Sequence, residues 1–284
     1  MTQESTEPDT SILRSHDFNK ISNVTTVRGI ARHVGTTSVA ANLALLLAER
    51  GARVLLLDLS LWNCDLTLSF GYTPEPAILD LADSFYRSGN LSLDLISSRT
   101  RTCKQNVEML SGFERWLGSP ALRAENGWNF IQTLLISAKE RWDTVVADMG
   151  THSSSTNTRE NIFLTQCAVH AALLQTAQSI VEVCDSIEYL QLWQKQVVQS
   201  SPLRGRMIYV VNQHHQEFPL GLDQFKVNKL MRTQSYFVPS LNMGLMANGE
   251  QLFFVERFPT TAQATRAERN ALRALQNIAT QIHR

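Results

Sequence analysis

A chain of 284 residues has room for one large buried core or two smaller ones. Its 26 basic and 26 acidic side chains balance to zero, which excludes a global electrostatic pull toward nucleic acid or an anionic membrane surface. The cysteines Cys64, Cys103, Cys167 and Cys184 form no Cys-x-x-Cys pair, no segment reaches the about 18 uninterrupted apolar residues of a membrane span, and residues 1–20 lack a signal peptide's apolar stretch, so a cytoplasmic protein with reduced thiols is expected.

Residues 1–20, rich in Thr, Ser, Glu and Asp, read as a disordered polar tail, and residues 21–284 read as one domain. Strands are predicted at Val24–Arg28, Arg53–Asp58, Val107–Leu110, Thr144–Asp148, Ala168–Gln175, Met207–Asn212 and Tyr236–Val238. Their apolar runs are continuous rather than alternating, as expected of parallel strands covered on both faces. Helices are predicted at Thr37–Arg50, Ala77–Arg87, Asn129–Lys139, Ile180–Lys195, Leu222–Met231 and Thr261–His283. Strand and helix in alternation predict an α/β fold with a doubly wound, mostly parallel sheet flanked by helices.

The first strand runs into Gly29-Ile30-Ala31-Arg32-His33-Val34-Gly35-Thr36-Thr37-Ser38 and then into an apolar helix. Strand, glycine-containing loop and helix is the context of a phosphate-binding loop. Gly35 permits the tight turn, the amides of Gly35, Thr36, Thr37 and Ser38 would line an anion nest at the helix N-terminus, and the Thr37 hydroxyl is placed to hold Mg²⁺. None of this needs a lysine. Turnover does, because cationic contacts on a transferring phosphoryl group are worth on the order of 10³–10⁵ in rate. Thr36 stands where a hydrolysing loop carries that lysine.

The run Val34-Gly35-Thr36-Thr37-Ser38-Val39-Ala40-Ala41-Asn42-Leu43-Ala44, followed by Gly51-Ala52-Arg53-Val54-Leu55-Leu56-Leu57-Asp58, resembles the MinD/ParA group of deviant Walker ATPases, whose loop reads Lys-Gly-Gly-Val-Gly-Lys-Thr-Thr. Laid on that pattern, Ala31 takes the place of the signature lysine that reaches across a nucleotide-sandwich dimer. Arg32 and His33 take the two glycines, and Thr36 the phosphate lysine. Asp58-Leu59-Ser60-Leu61-Trp62-Asn63-Cys64-Asp65-Leu66-Thr67-Leu68 resembles the Asp-Leu-Asp-Leu-x-x-Gly-Asp-Leu-Ala-Leu of the CpaE/TadZ pilus-assembly branch. Val238-Pro239-Ser240 through Asn248-Gly249-Glu250-Gln251-Leu252 resembles that branch's C-terminal stretch. The likeness spans about residues 22–284, without the receiver-like domain usual ahead of it in that branch.

The resemblance assigns roles. Asp58 matches the first carboxylate of the second motif, and Ser60 replaces the Asp that positions the attacking water. Asp148 matches the Walker B carboxylate that holds Mg²⁺ through water. Asn212 matches the residue that hydrogen-bonds adenine, and Pro239 lies in the base-flanking loop. Nucleotide contacts, if retained, would therefore fall on Gly35, Thr36, Thr37, Ser38, Arg32, Asn212 and Pro239. Those to Mg²⁺ would fall on Thr37, Asp58 and Asp148, with ATP or ADP as the nucleotide.

Each residue also has a plainer reading. Arg32 is either a guanidinium clamp replacing the lost charge or a solvated loop arginine. His33 crowds a path that glycine leaves open. Asp58 and Asp148 are either metal-side carboxylates or strand-end caps, and Asn212 is either a base contact or a turn residue. His214-His215 has no nearby partner at ligand spacing and reads as surface loop. The tryptophans read as core or interface anchors, with Trp62 the one to watch as a partner contact. Leu272, Leu275, Ile278, Ala279 and Ile282 line one side of the last helix, which is expected to pack on the sheet rather than bind a membrane directly.

Loss at Ala31, Thr36 and Ser60 together describes a pseudo-ATPase. Its expected role is a scaffold that binds protein partners, as a homodimer or beside a related ATPase, and helps localise a membrane-associated pilus, secretion or exopolysaccharide system from the inner face of the membrane or the cell pole. Cellulose-synthesis accessory (BcsQ-like) proteins are a sister reading. The alternatives are a slow ATP-dependent dimerisation switch using Arg32 and, disfavoured by the zero net charge, a DNA-partition protein.

Overall fold

Val24–Gly29 forms β1, buried along its whole length and paired in parallel on both sides, with β5 (Thr144–Thr151) and β6 (Ser179–Cys184). The computed structural model describes residues 23–31, 33–60, 64–112, 119–151, 160–184, 206–213, 235–239 and 266–282. Beyond β5 lie β2 (Val54–Asp58), β4 (Val107–Leu110) and β3 (Arg101–Lys104). Beyond β6 lie β7 (Met207–Gln213) and β8 (Ser235–Pro239). The eight-stranded order is β3-β4-β2-β5-β1-β6-β7-β8, parallel throughout except for β3, which runs antiparallel to β4. Winding outward from β1 in both directions leaves a crevice at the C-terminal ends of β5, β1 and β6, where open α/β sheets place their ligands.

Side-chain alternation assigns the two faces. Val27, Leu56, Val146, Val181, Val183, Ile208 and Val210 pack beneath α1 (Thr36–Glu49) and the C-terminal helix α7 (Arg266–Ile282). Leu55, Leu57, Val145, Ala147, Ile180, Tyr209 and Val211 pack beneath α3 (Ala77–Ser88), α5 (Ala124–Ala138) and α6 (Glu160–Thr176). Short helices α2 (Asp65–Ser69) and α4 (Leu93–Arg99) follow β2 and α3, and a 3₁₀ turn at Pro120–Leu122 precedes α5. α1 is covered almost all round, so its sequence reads apolar without an amphipathic stripe. It stops at Gly51, whose φ of +90° and amide bond to the Ala48 carbonyl (2.9 Å) close the last turn.

The expected mostly parallel α/β sheet is what forms. Two segments differ from expectation. Ala168–Gln175, predicted as a strand, is the second half of α6, and Ser179–Cys184, the start of a predicted helix Ile180–Lys195, is β6. In the first, a nearly unbroken apolar run hides the period, although Ala168, Ala171 and Ala172 favour helix. Val169, Ala172 and Leu173 recur at helical spacing on the core. In the second, Glu182 makes a buried Ile-Val-x-Val strand look amphipathic. Residues 185–195 of that prediction, the predicted helix Leu222–Met231 and the tail 1–20 lie outside the described residues. β3, α2 and α4 have no counterpart among the predicted elements.

α7 turns Ala271, Leu275, Ile278, Ala279 and Ile282 inward, with Leu272 partly buried, and packs on α1 beside β8. No described helix is long and apolar enough to cross a membrane. Trp142 is buried and Trp128 packs against the same core; Trp62, Trp116 and Trp193 lie outside the described residues.

Candidate phosphate-loop site

The loop after β1 folds back over the strand end. A Cβ at Gly29 would lie 2.3 Å from Thr36 Oγ1 and 2.8 Å from Val34 Cγ2, so only glycine admits this return. The Ile30 amide donates to the Val183 carbonyl (3.0 Å), which ties the loop's first residue to β6. Gly35 adopts φ +90° and caps α1. A Cβ there would lie 2.1 Å from Asn212 Nδ2, which itself donates to the Val34 carbonyl (2.8 Å). Asn212, fully buried at the end of β7, thus supports the loop from beneath. His33, at a place the family pattern gives to glycine, is exposed and held at φ +61°. The left-handed course is kept, at a cost of about 1 kcal/mol for a residue with a Cβ.

α1 begins without a side-chain cap and without an acidic residue in its first turn. Its first helical bond runs from the Val39 amide to the Gly35 carbonyl (3.0 Å), so the amides of Thr36, Thr37 and Ser38 have no partner within the helix. Three converging N–H groups and the positive end of the macrodipole favour an anion here. Thr36 is buried against Gly29 and adds no charge.

Two carboxylates close the site. Asp58, at the end of β2, and Asp148, within β5, are register neighbours and lie on the α1 face of the sheet, both fully buried. One oxygen of Asp58 accepts from the Thr67 amide (3.0 Å) and hydroxyl (2.6 Å), while Oδ1 has no hydrogen-bond partner among the described residues. Asp148 Oδ1 accepts from the Gly150 amide (2.9 Å), and Oδ2 has no hydrogen-bond partner among the described residues. Burial, then the charge of Asp148, push Asp58 up to about 7 against the lowering bonds from Thr67 and Ser60. Burial lifts Asp148 to about 6, opposed by the Thr37 hydroxyl and the Gly150 amide, with Asp65 adding to the rise. Among the described residues no group of three His, Cys, Asp or Glu side chains could hold a metal unaided. A cation here would share Thr37, Asp58 and Asp148 with ligand oxygens, and the two partnerless carboxylate oxygens fit that use.

The structure therefore brings Gly35, Thr36, Thr37, Ser38, Asp58, Asp148 and Asn212 to one end and one face of the sheet. Ser60 is buried against Gly150, where a Cβ would come within 2.6 Å of Ser60 Oγ. Pro239 closes β8 opposite Gln213, and Arg32 lies outside the described residues. Two features escape sequence reasoning. Thr67 grips Asp58 from α2, at a position the CpaE/TadZ pattern gives to Ala. On the opposite face Arg28 of β1 donates to Glu182 Oε2 of β6 through Nε (2.9 Å) and Nη2 (2.7 Å), with both side chains buried. A signal for the second is present: one charge in each of two otherwise uncharged strands.

No protein-family model matches the sequence, and a search of curated proteins finds no relative by sequence. The backbone does find relatives in shape. A ParA family ATPase from Chlorobium tepidum superposes with a TM-score of 0.63 at 14% identity, over 91% of this chain and 99% of that one. The septum site-determining protein MinD of Pyrococcus horikoshii, complexed with Mg-ADP, gives 0.63 at 16% identity, over 92% and 96%. MinD in the Aquifex aeolicus MinC:MinD complex gives 0.62 at 14%, over 92% and 95%. The fold is that of the MinD/ParA ATPases. In that fold the loop at residues 29–38 occupies the βα turn after the central strand, at the point where strand order reverses.

Proposed function

We propose that this chain is a catalytically degenerate MinD/ParA-type protein, a pseudo-ATPase that binds a nucleotide with Mg²⁺ and serves as a partner-binding scaffold. The observation that carries the reading is an asymmetry in the site: the metal-side groups Thr37 and Asp148 are kept in contact, while Thr36 turns back on Gly29 and brings no charge. The amides of Thr36, Thr37 and Ser38 hold phosphate, and Thr37 and Asp148 hold the metal. When bound, the cation neutralises phosphate charge. Ser60, a neutral side chain against Gly150, leaves the attacking water without the carboxylate that family members use. The MinD neighbours, one complexed with Mg-ADP and one with MinC, support nucleotide and protein ligands for this fold. The site of action we infer is a membrane-associated assembly of the pilus, secretion or exopolysaccharide kind, reached from the cytoplasmic side through partners. This rests on the CpaE/TadZ-like and cellulose-accessory resemblance of the motifs.

The test is ATP turnover by the purified chain with partner and membranes present. We expect no Mg²⁺-dependent hydrolysis above background. Hydrolysis that Asp148→Ala abolishes would overturn the proposal. A slow switch is the second reading, favoured by the left-handed His33, which keeps the loop's course without glycine. It requires a mass that doubles with ATP·Mg²⁺ in light scattering.

A further inference from the structure

Thr67 engages Asp58 twice on a single oxygen. Its amide (3.0 Å) and hydroxyl (2.6 Å) both donate to Asp58 Oδ2, whereas Oδ1 has no hydrogen-bond partner among the described residues. The last torsion of an aspartate is soft, so its partners decide where each oxygen points. Two donors on Oδ2 keep the oxygens from exchanging places. Thr67 is itself braced. Its Oγ1 lies 3.3 Å from Ser111 Oγ, just beyond β4, and that hydroxyl accepts from the Glu75 amide (3.1 Å) ahead of α3. The Ile78 amide reaches the Ser111 carbonyl (3.4 Å), and Thr67 and Ser111 are both buried. A threonine hydroxyl has one proton, and the 2.6 Å contact with the carboxylate takes it. A five-residue helix such as α2 holds no fixed place unaided, so this brace and its burial are what make the grip rigid.

We propose that Thr67 is a positioning residue for the candidate site: by holding Oδ2 it fixes Asp58 so that Oδ1 is the oxygen offered to a metal-bound nucleotide. The inference rests on the nucleotide-site reading above and extends it to a residue outside the phosphate loop. The CpaE/TadZ pattern has Ala at this place, so the grip belongs to this chain's own sequence. Groups that orient a ligating side chain from behind influence a site nearly as strongly as the ligands themselves. Thr67→Val isolates the hydroxyl, since valine has nearly the same shape and the backbone amide still donates to Oδ2.

The experiment is calorimetric titration of the full chain with ADP·Mg²⁺, with a melting curve for each variant. In Thr67→Val we expect the affinity to fall by ~10-fold. Thr67→Ser, which keeps the hydroxyl, should stay within ~2-fold of the wild type. In a chain that also carries Asp58→Asn, Thr67→Val should change the affinity by less than ~2-fold, because the position acts only through the carboxylate. If Thr67→Val does not fold, Thr67→Ala, the residue of the CpaE/TadZ pattern, takes its place. An affinity unchanged in Thr67→Val, whatever the loss in melting temperature, makes Thr67 a clamp on the fold alone; it overturns the inference and leaves the nucleotide reading standing. Equal losses in Thr67→Val and Thr67→Ser, or equal losses with and without Asp58→Asn, overturn it as well. Absence of ADP·Mg²⁺ binding by the wild type overturns the nucleotide reading and this inference with it.

Discussion

Two buried charge pairs sit at the same end of the sheet on opposite faces. Arg28 and Glu182, beneath the α6 side, are of opposite sign and joined by two hydrogen bonds. Asp58 and Asp148, beneath α1, are of the same sign and each keep an oxygen without a hydrogen-bond partner among the described residues. The first pair is charge buried where the protein itself supplies the answer. The second is like charge buried together, which the proposed nucleotide site would answer with a bound cation. Burial alone does not distinguish the two pairs; the sign of the neighbouring charge does.

Breaking the first pair should have the largest effect. Glu182→Ala leaves the Arg28 guanidinium buried beside β1, and we expect about 3–5 kcal/mol of lost stability in chemical denaturation. Replacing both partners together, Arg28→Met with Glu182→Leu, should recover most of it, because a buried ion pair is roughly equal in stability to well-packed apolar side chains of similar volume. If the single and the double variants lose the same amount, the pair is not the unit of stabilisation and the contrast between the faces fails. The β1–β6 register should also be the part most sensitive to Glu182→Ala in hydrogen exchange, since the Ile30 amide bonds to Val183 next door.

The second pair predicts the opposite sign. Asp58 is held at about 7 in the folded chain against 3.8 for the ordinary group, and Asp148 at about 6. Between the ordinary and raised values the folded chain retains protons that the unfolded chain has released, so stability falls as pH rises through that window and levels off above about pH 7. Asp58→Asn should therefore raise stability at neutral to alkaline pH, by roughly 2 kcal/mol, and flatten the slope between about pH 4 and 7. Melting curves across that range check it. A variant that is less stable than the wild type at alkaline pH would show that Asp58 is a structural cap held by Thr67 and not a charge waiting for a ligand.

How much of this is legible in the sequence follows from how each part is encoded. Asp58, Asp148 and Asn212 stand in the C-terminal halves of strands, and Gly35 and Thr37 at the start of the helix that follows β1, so locating the strands also locates the site. The Thr67 grip on Asp58 and the Asn212 bond to Val34 are not legible, because each joins a strand end to a segment whose placement depends on packing. Arg28 and Glu182 lie 154 residues apart and meet only because β6 pairs with β1. Without that pairing Glu182 looks like the polar side of a helix, which is why Ile180–Cys184 reads as one. α6 fails for the converse reason: between Cys167 and Gln175 the single polar His170 is too little to separate a helix from a buried strand.

The smallest effect sharpens the comparison at the loop itself. His33 is at φ +61°, where the family pattern has glycine and where a Cβ costs about 1 kcal/mol. His33→Gly relieves that strain but frees the unfolded chain, which gives back about 0.5–1 kcal/mol. The two terms nearly cancel, so stability should change by less than about 0.5 kcal/mol in a urea titration. Affinity for ADP·Mg²⁺ then isolates a separate question. His33 is exposed, so if its ring stands in the path of the phosphate, the glycine variant binds ~3-fold or more tightly at unchanged stability. Unchanged affinity would mean that the loop has absorbed the histidine without loss.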